Sequence, residues 1–86
     1  MRYLFLLLAL SASQAFASAE CPYYPKEEWA PESALKQKLA DKGYTIKKFK
    51  IEGNCYEIYG RNKRGKKVEI YFDAKTLEIL KAEVIR

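Results

Sequence analysis

Residues 53–73, GNCYEIYGRNKRGKKVEIYFD, constrain the fold more than any other part of the chain. Apolar and polar side chains alternate on both sides of a Lys-Arg-Gly turn at 63–65, which is typical of half-buried β-strands. Gly65 suits the left-handed position of a three-residue hairpin loop. We therefore predict a β-hairpin with strands at 55–61 and 67–72.

Two further turn signals extend the hairpin to four antiparallel strands. A Gly-Asn pair at 53–54 suits a two-residue loop that pairs Phe49 with Ile58. A five-residue connection after the third strand would place Leu80 opposite Ile70. The three turns agree on one apolar face, predicted to contain Phe49, Ile51, Tyr56, Ile58, Val68, Ile70, Phe72, Leu80, Ala82 and Val84.

The residues before this sheet predict a short helix that covers its apolar face. Pro31 suits the first helical position, Leu35 and Leu39 lie on one side, and Gly43 suits the residue just after the helix. We predict an α+β domain at 31–86, with one helix packed on a four-stranded antiparallel β-meander.

One stretch breaks the alternation on which this meander depends. Tyr44 and Ile46 have the wrong parity to share the apolar face with Phe49. A β-bulge at Lys47-Lys48 would return them to the core side. We therefore expect an irregularity in the first strand.

Residues 1–19 have the pattern of a cleaved secretory signal peptide. Arg2 precedes an apolar run at 3–10, and small residues at 15–17 and 17–19 fit cleavage sites. A membrane span would need about 20 apolar residues, more than this run supplies. We expect an exported protein, periplasmic or secreted, with no stable membrane span after cleavage. Glu20, where lipoproteins need a small residue, argues against a lipid anchor on Cys21.

The two cysteines, Cys21 and Cys55, are predicted to form a disulfide. A small exported domain buries little apolar surface, and a bond closing a loop of this length would stabilise it by about 3–4 kcal/mol. The alternative is a redox-active or metal-binding thiol pair, although the chain has no histidine and no C-x-x-C spacing. Prolines make residues 20–30 an extended arm, which must wrap one end of the sheet to reach Cys55.

No residue pattern in the chain predicts catalysis, a cofactor or a metal site. Glu57, Glu69 and Asp73 are the nearest approach to paired carboxylates, but a glycosidase would need two of them flanking a cleft. We expect solvated, ionised cross-strand partners of lysines instead. Ser33 has no base beside it. The chain is predicted not to be an enzyme.

Two surface features are candidate partner-binding sites. The first is a basic hairpin tip, made of Arg61, Lys63, Arg64, Lys66 and Lys67. It could attract an anionic envelope surface or an acidic partner, or serve only to keep the chain soluble; nucleic acid is not expected outside the cytoplasm. The second is an aromatic and apolar patch on the outer face of the sheet, made of Tyr59, Tyr71 and Ile79. It is either a contact surface for a partner or a set of ordinary exposed side chains on a solvent-facing sheet.

Together these residues resemble a small secreted PepSY-domain protein. The resemblance runs through nearly all of the mature chain in the order Trp29, Leu35, Leu39, Gly43-Tyr44-Thr45-Ile46, Asn54-Cys55-Tyr56-Glu57-Ile58-Tyr59, Gly65-Lys66-Lys67-Val68-Glu69-Ile70-Tyr71-Phe72-Asp73, Thr76 and Glu78-Ile79. It departs at Leu77, where the family usually has glycine. The resemblance implies a helix on an antiparallel sheet, no catalytic residues, and a role in restraining peptidases, as in propeptides of thermolysin-like metallopeptidases.

The leading functional hypothesis is a non-enzymatic periplasmic binding module that modulates a peptidase or another envelope protein. The outer face and the basic hairpin would make the contacts, without a cofactor. The alternative hypothesis is an electrostatic adaptor for anionic envelope lipid or polysaccharide. The sequence leaves the oligomeric state open.

Overall fold

A computed structural model describes residues 19–85. A short 3-10 turn, Lys26–Glu28, precedes the helix, and the sheet follows it, with the bounds α1 Glu32–Asp41, β1 Thr45–Glu52, β2 Cys55–Arg61, β3 Lys67–Asp73 and β4 Ile79–Val84. The four strands lie in the order β1-β2-β3-β4, and each pair is antiparallel. The predicted α+β meander is confirmed. The predicted signal peptide lies outside the described residues, except for Ala19.

The ends of α1 follow the proline and glycine signals. Pro31 is the N-cap and not the first helical residue, so α1 begins one residue later than predicted, at Glu32. At the other end, the Tyr44 N–H donates to the Leu39 carbonyl at 2.9 Å and the Gly43 N–H donates to the Ala40 carbonyl at 3.0 Å. These two bonds form a Schellman motif, which needs the left-handed φ of 83° that Gly43 adopts.

The two predicted hairpin registers are confirmed. Phe49 pairs with Ile58 across β1 and β2, and Ile58 pairs with Ile70 across β2 and β3. Gly65 has a φ of 80°, as its turn requires. The helix packs over the resulting face, and the core comprises Leu35, Leu39, Tyr56, Ile58, Val68, Ile70, Phe72, Ala74 and Leu77.

The predicted bulge in β1 is also confirmed. Ile46 pairs with Gly60 and Lys48 pairs with Tyr59, so Lys47 is the extra residue. Tyr44 and Ile46 pack against the core as partly buried side chains. The bulge thus keeps the start of β1 under the helix.

The predicted register of β4 is wrong by two residues. Ala82, and not Leu80, lies opposite Ile70. The reason is the turn, in which Leu77 adopts a left-handed φ of 65° and the Asp73 N–H donates to the Glu78 carbonyl. A further register shift between Tyr71 and Phe72 leaves an extra residue at the start of β4.

This shift corrects two predictions about side-chain placement. Ile79 lies opposite the core residue Phe72, not beside Tyr71. Four predicted core residues, Ile51, Leu80, Ala82 and Val84, are exposed, because they lie on the two edge strands. The core is therefore smaller than the alternation predicts and is centred on β2 and β3.

The backbones of β1 and β2 approach so closely next to the bulge that only glycine fits at position 60. A Cβ there would overlap the Thr45 backbone carbonyl, whereas a Cβ at Gly53 would meet nothing. The only obstacle to Gly53→Ala is the left-handed φ of 59° at this position, which disfavours a residue with a Cβ. We expect Gly60→Ala to lower the free energy of unfolding by about 2 kcal/mol or more, and Gly53→Ala by about 1 kcal/mol.

Urea denaturation of both variants measures this difference. A loss at Gly60 no larger than the loss at Gly53 would contradict the close approach of β1 and β2 at this point.

Candidate functional site

A disulfide fixes the N-terminal arm to one end of the sheet. Cys21 and Cys55 are bonded with a Cα–Cα distance of 5.4 Å, which confirms the predicted pair. Farther along the arm, the Tyr24 hydroxyl donates to Asp73 at 3.1 Å and the Trp29 indole donates to the Tyr24 carbonyl at 2.9 Å. The arm therefore wraps the end at which β2 begins and β3 ends.

Asp73 organises the turn that follows β3. It is buried, and its Oδ1 accepts the backbone N–H groups of Lys75 and Thr76, both at 2.9 Å. Burial opposes ionisation of this carboxyl, but the N–H donors and the Tyr24 hydroxyl outweigh burial and lower the pKa of Asp73. The ionised Asp73 carboxylate thus stabilises the turn and binds the arm through Tyr24.

On the outer face of the sheet, two tyrosines and two glutamates form a closed cluster. The hydroxyls of Tyr59 and Tyr71 both donate to Glu69 Oε2, at 3.0 and 3.1 Å. Glu57 lies directly between Lys50 and Tyr71 on the neighbouring strands, with Lys50 Nζ 3.9 Å from its Oε1. This outer-face cluster comprises Glu57, Tyr59, Glu69 and Tyr71.

The expectation of solvated carboxylates is wrong for Glu57, as it is for the buried Asp73. The exposed fraction of Glu57 is 1%, because side chains of adjacent strands cover it, and its Oε2 has no hydrogen-bond partner among the described residues. Burial raises the pKa of Glu57, and the neighbouring Glu69 carboxyl adds to that rise. The interaction with Glu57 is in turn the main cause that lowers the pKa of Glu69. The pair can share one proton, but it has no nucleophile or open cleft beside it.

The three residues of the predicted patch, Tyr59, Tyr71 and Ile79, differ in burial and do not lie together. Tyr71 is buried and Tyr59 is half-buried. The hydrogen bond to Glu69 is the main cause that raises the pKa of Tyr59, and burial is the main cause for Tyr71. Ile79 is exposed and lies apart from them on β4. A partner-binding role for the two tyrosines stays a prediction.

The basic hairpin tip is exposed and internally ordered. Asn62 Oδ1 accepts the backbone N–H groups of Arg64 and Lys66, at 2.9 and 3.0 Å. Arg61 donates to the Gly65 carbonyl at 2.8 Å. The side chains of Arg61, Lys63, Arg64, Lys66 and Lys67 all lie at the surface. A cavity of about 430 Å³ adjoins this tip, and its lining includes Lys47, Tyr59, Arg61, Lys67 and Ile85.

The open edge of β4 is the surface that the sequence interpretation missed. Ile79, Leu80, Val84 and Ile85 on or beside this strand are 46, 39, 56 and 38% exposed. Alternation placed Leu80 and Val84 in the core, although the last strand of a meander must be an edge. That topological fact was the available signal.

The two sheet edges differ in how they resist strand addition. The β1 edge has a bulge at Lys47 and the exposed or half-exposed lysines Lys48 and Lys50, which are devices that discourage pairing. The β4 edge has one irregularity at its start and then a regular stretch in which Lys81 and Glu83 alternate with the exposed aliphatic residues Ala82 and Val84. An approaching strand would therefore meet fewer obstacles at β4.

The buried Glu57 predicts a specific pH dependence of stability. Its pKa is higher in the folded chain than in the unfolded chain, so its ionisation destabilises the fold as the pH rises above about 4.5. We expect Glu57→Gln to be more stable than wild type at pH 7 to 8, with the difference shrinking toward pH 4.5. Urea unfolding across this range measures it.

Asp73→Asn is the control of opposite sign. The pKa of Asp73 is lowered, so its stabilisation is present at neutral pH and is lost as the pH falls through about 4. A Glu57→Gln difference that stays constant with pH would contradict the burial of this carboxyl.

Two features are absent from the part of the chain that the structure describes. No helix there is long and apolar enough to span a bilayer, and no group of three or more acidic or cysteine side chains could hold a metal ion.

Comparison with known proteins identifies the family of this chain. No curated protein and no solved structure matches the chain. The family PepSY_2, described as peptidase propeptide and YPEB domain, matches residues 2–83. Since this match covers almost the whole chain, the protein belongs to the PepSY_2 family of peptidase-propeptide-like domains.

Proposed function

We propose that this chain is a non-enzymatic binding module of the cell envelope that restrains a peptidase. Membership of a family described by peptidase propeptides supports the class of partner. The disulfide supports an oxidising compartment outside the cytoplasm. The signal-peptide pattern of residues 1–19 supports export by the same route.

The observation that carries this proposal is the open edge of β4. In the described part of the chain, no strand pairs with the outer side of β4, and the aliphatic side chains beside it are exposed. An extended strand can join the sheet or the cleft of a partner through main-chain hydrogen bonds, with alternate side chains entering pockets. Exposed aliphatic side chains at Ile79 and Val84 would then be the anchors.

A binding role fits the acidic side chains better than catalysis does. Glu69 accepts hydrogen bonds from two tyrosine hydroxyls, and Glu57 is buried beside Lys50 on the same face. Asp73 is bound by backbone donors of its own turn. Each carboxyl therefore already has a structural role in the sheet.

An inhibition assay with thermolysin as the probe peptidase tests the proposal. We expect the exported, oxidised protein to slow peptide hydrolysis with an inhibition constant in the micromolar range. Ile79→Lys/Val84→Lys should weaken inhibition at least tenfold, because each substitution removes an apolar anchor and places a charge at the contact.

Ile51→Lys is the matched control, since Ile51 is 50% exposed on the opposite edge strand. It should inhibit as well as wild type. Failure of the wild-type protein to inhibit at all would contradict the peptidase role. An equal loss in the Ile51→Lys control would contradict the assignment to β4.

A second candidate function is supported by the exposed cations of the hairpin tip. Lys47, Arg61 and Lys67 also surround the cavity of about 430 Å³, so an anionic lipid could place its headgroup there. Binding to vesicles containing phosphatidylglycerol should then fall steeply with salt. It should also fall with charge reversal at Lys63 and Arg64, and binding that ignores both would exclude this function.

A further inference from the structure

The β4 edge has the geometry to pair with a second copy of itself. In the antiparallel β3–β4 ladder, the Ile85 N–H donates to the Lys67 carbonyl at 2.9 Å. Since residues along a strand alternate between bonding to one neighbour and to the other, Glu83 also faces β3, and Ala82 and Val84 point their backbone groups outward. The open edge therefore presents a short ladder of free donors and acceptors.

We propose that this protein forms a symmetric dimer through antiparallel pairing of β4 with β4 of a second copy. A two-fold axis perpendicular to the sheet must pass through a pair of equivalent residues, so the register is set by which residue faces itself. Centring the axis on Lys81 or on Glu83 would place like charges directly opposite each other. Centring it on Ala82 avoids both clashes.

The register centred on Ala82 matches the side chains of the regular stretch of β4 in chemistry. Lys81 of each copy lies opposite Glu83 of the other, on the outer face of the joined sheet. The stretch ends on exposed aliphatic side chains, Leu80 at the irregularity and Val84 at the other end. Cross-strand pairs of opposite charge and pairs of aliphatic side chains both stabilise antiparallel ladders.

The surroundings of Glu83 within one copy favour this partner. Its cross-strand neighbour is Glu69, a second carboxylate on the same face. Within residues 19–85, no lysine or arginine forms an ion pair with Glu83. In the proposed dimer, Lys81 of the second copy approaches Glu83 from the open side and offsets this like-charge neighbour.

Burial of exposed aliphatic side chains adds to the pairing. Ile79, Leu80, Val84 and Ile85 are all partly exposed in the single copy. Leu80 and Val84, at the two ends of the regular stretch, would be partly covered by the second copy. An interface of one strand edge is small, so the dimer is expected to dissociate in the micromolar range.

This inference goes beyond the proposed function and does not depend on it. A second copy and a peptidase would compete for the same edge, so dimerisation would regulate the module. The test contains no peptidase, and its failure is therefore distinguishable from a failure of the inhibition assay.

Sedimentation equilibrium of the exported, oxidised protein tests the dimer. We expect the weight-average mass to rise from one copy to two between low micromolar and millimolar concentration. Glu83→Lys places two lysine pairs across the axis and should weaken dimerisation about tenfold. The charge swap Lys81→Glu/Glu83→Lys restores opposite charges and should return the dissociation constant to near that of wild type.

Glu52→Lys makes the same charge change on the opposite edge strand and should leave dimerisation unchanged. A protein that stays monomeric at every concentration would overturn the proposal. So would a dimer that Glu83→Lys does not weaken, or one that the charge swap fails to restore. The swap also separates a lost contact from a misfolded variant, because both variants introduce Lys at position 83.

Discussion

The pairing of β2 with β3 is the constraint on which the rest of the structure depends. It places Ile58 opposite Ile70 and Tyr56 opposite Phe72, so one face of the central strands is apolar. The helix has only two fully buried residues of its own and packs against this face. Without that register, neither the helix nor the outer-face cluster would have a fixed position.

Local turn chemistry determined how much of the fold could be predicted. Gly-Asn at 53–54 and Gly65 each specify one turn geometry, and both hairpins have the predicted register. The third turn has no such signal, because Leu77 adopts a conformation that glycine normally occupies. Its shape depends on Asp73 accepting two backbone N–H groups, which alternation of apolar residues cannot reveal.

The candidate sites were harder to predict because they depend on neighbours across strands. A glutamate in an alternating strand looks exposed, but Glu57 is covered by side chains from both adjacent strands and by its own cluster. Conversely, Leu80 and Val84 look like core residues until the sheet order shows that, within residues 19–85, no strand lies beyond β4. In so small a sheet, whether a side chain is buried therefore depends on whether its strand is central or at an edge, as much as on which face of the strand it occupies.

Several surfaces of the described chain already have structural partners, and the open edge of β4 differs from them. One face lies under the helix, one end is clamped by the disulfide and Tyr24, and β1 has a bulge and lysines at its edge. The outer-face cluster holds its own polar atoms. The regular stretch of β4 and the basic hairpin tip remain available for partners, and these are the surfaces that the proposals use.

Amide hydrogen exchange resolved by residue, at low micromolar concentration, tests the open edge most directly. If β4 is an unpartnered edge, the amides of Ala82 and Val84 should exchange at least tenfold faster than those of Glu83 and Ile85, which bond to β3. Equal protection of all four amides would contradict an open edge and with it the contact surface proposed for this protein.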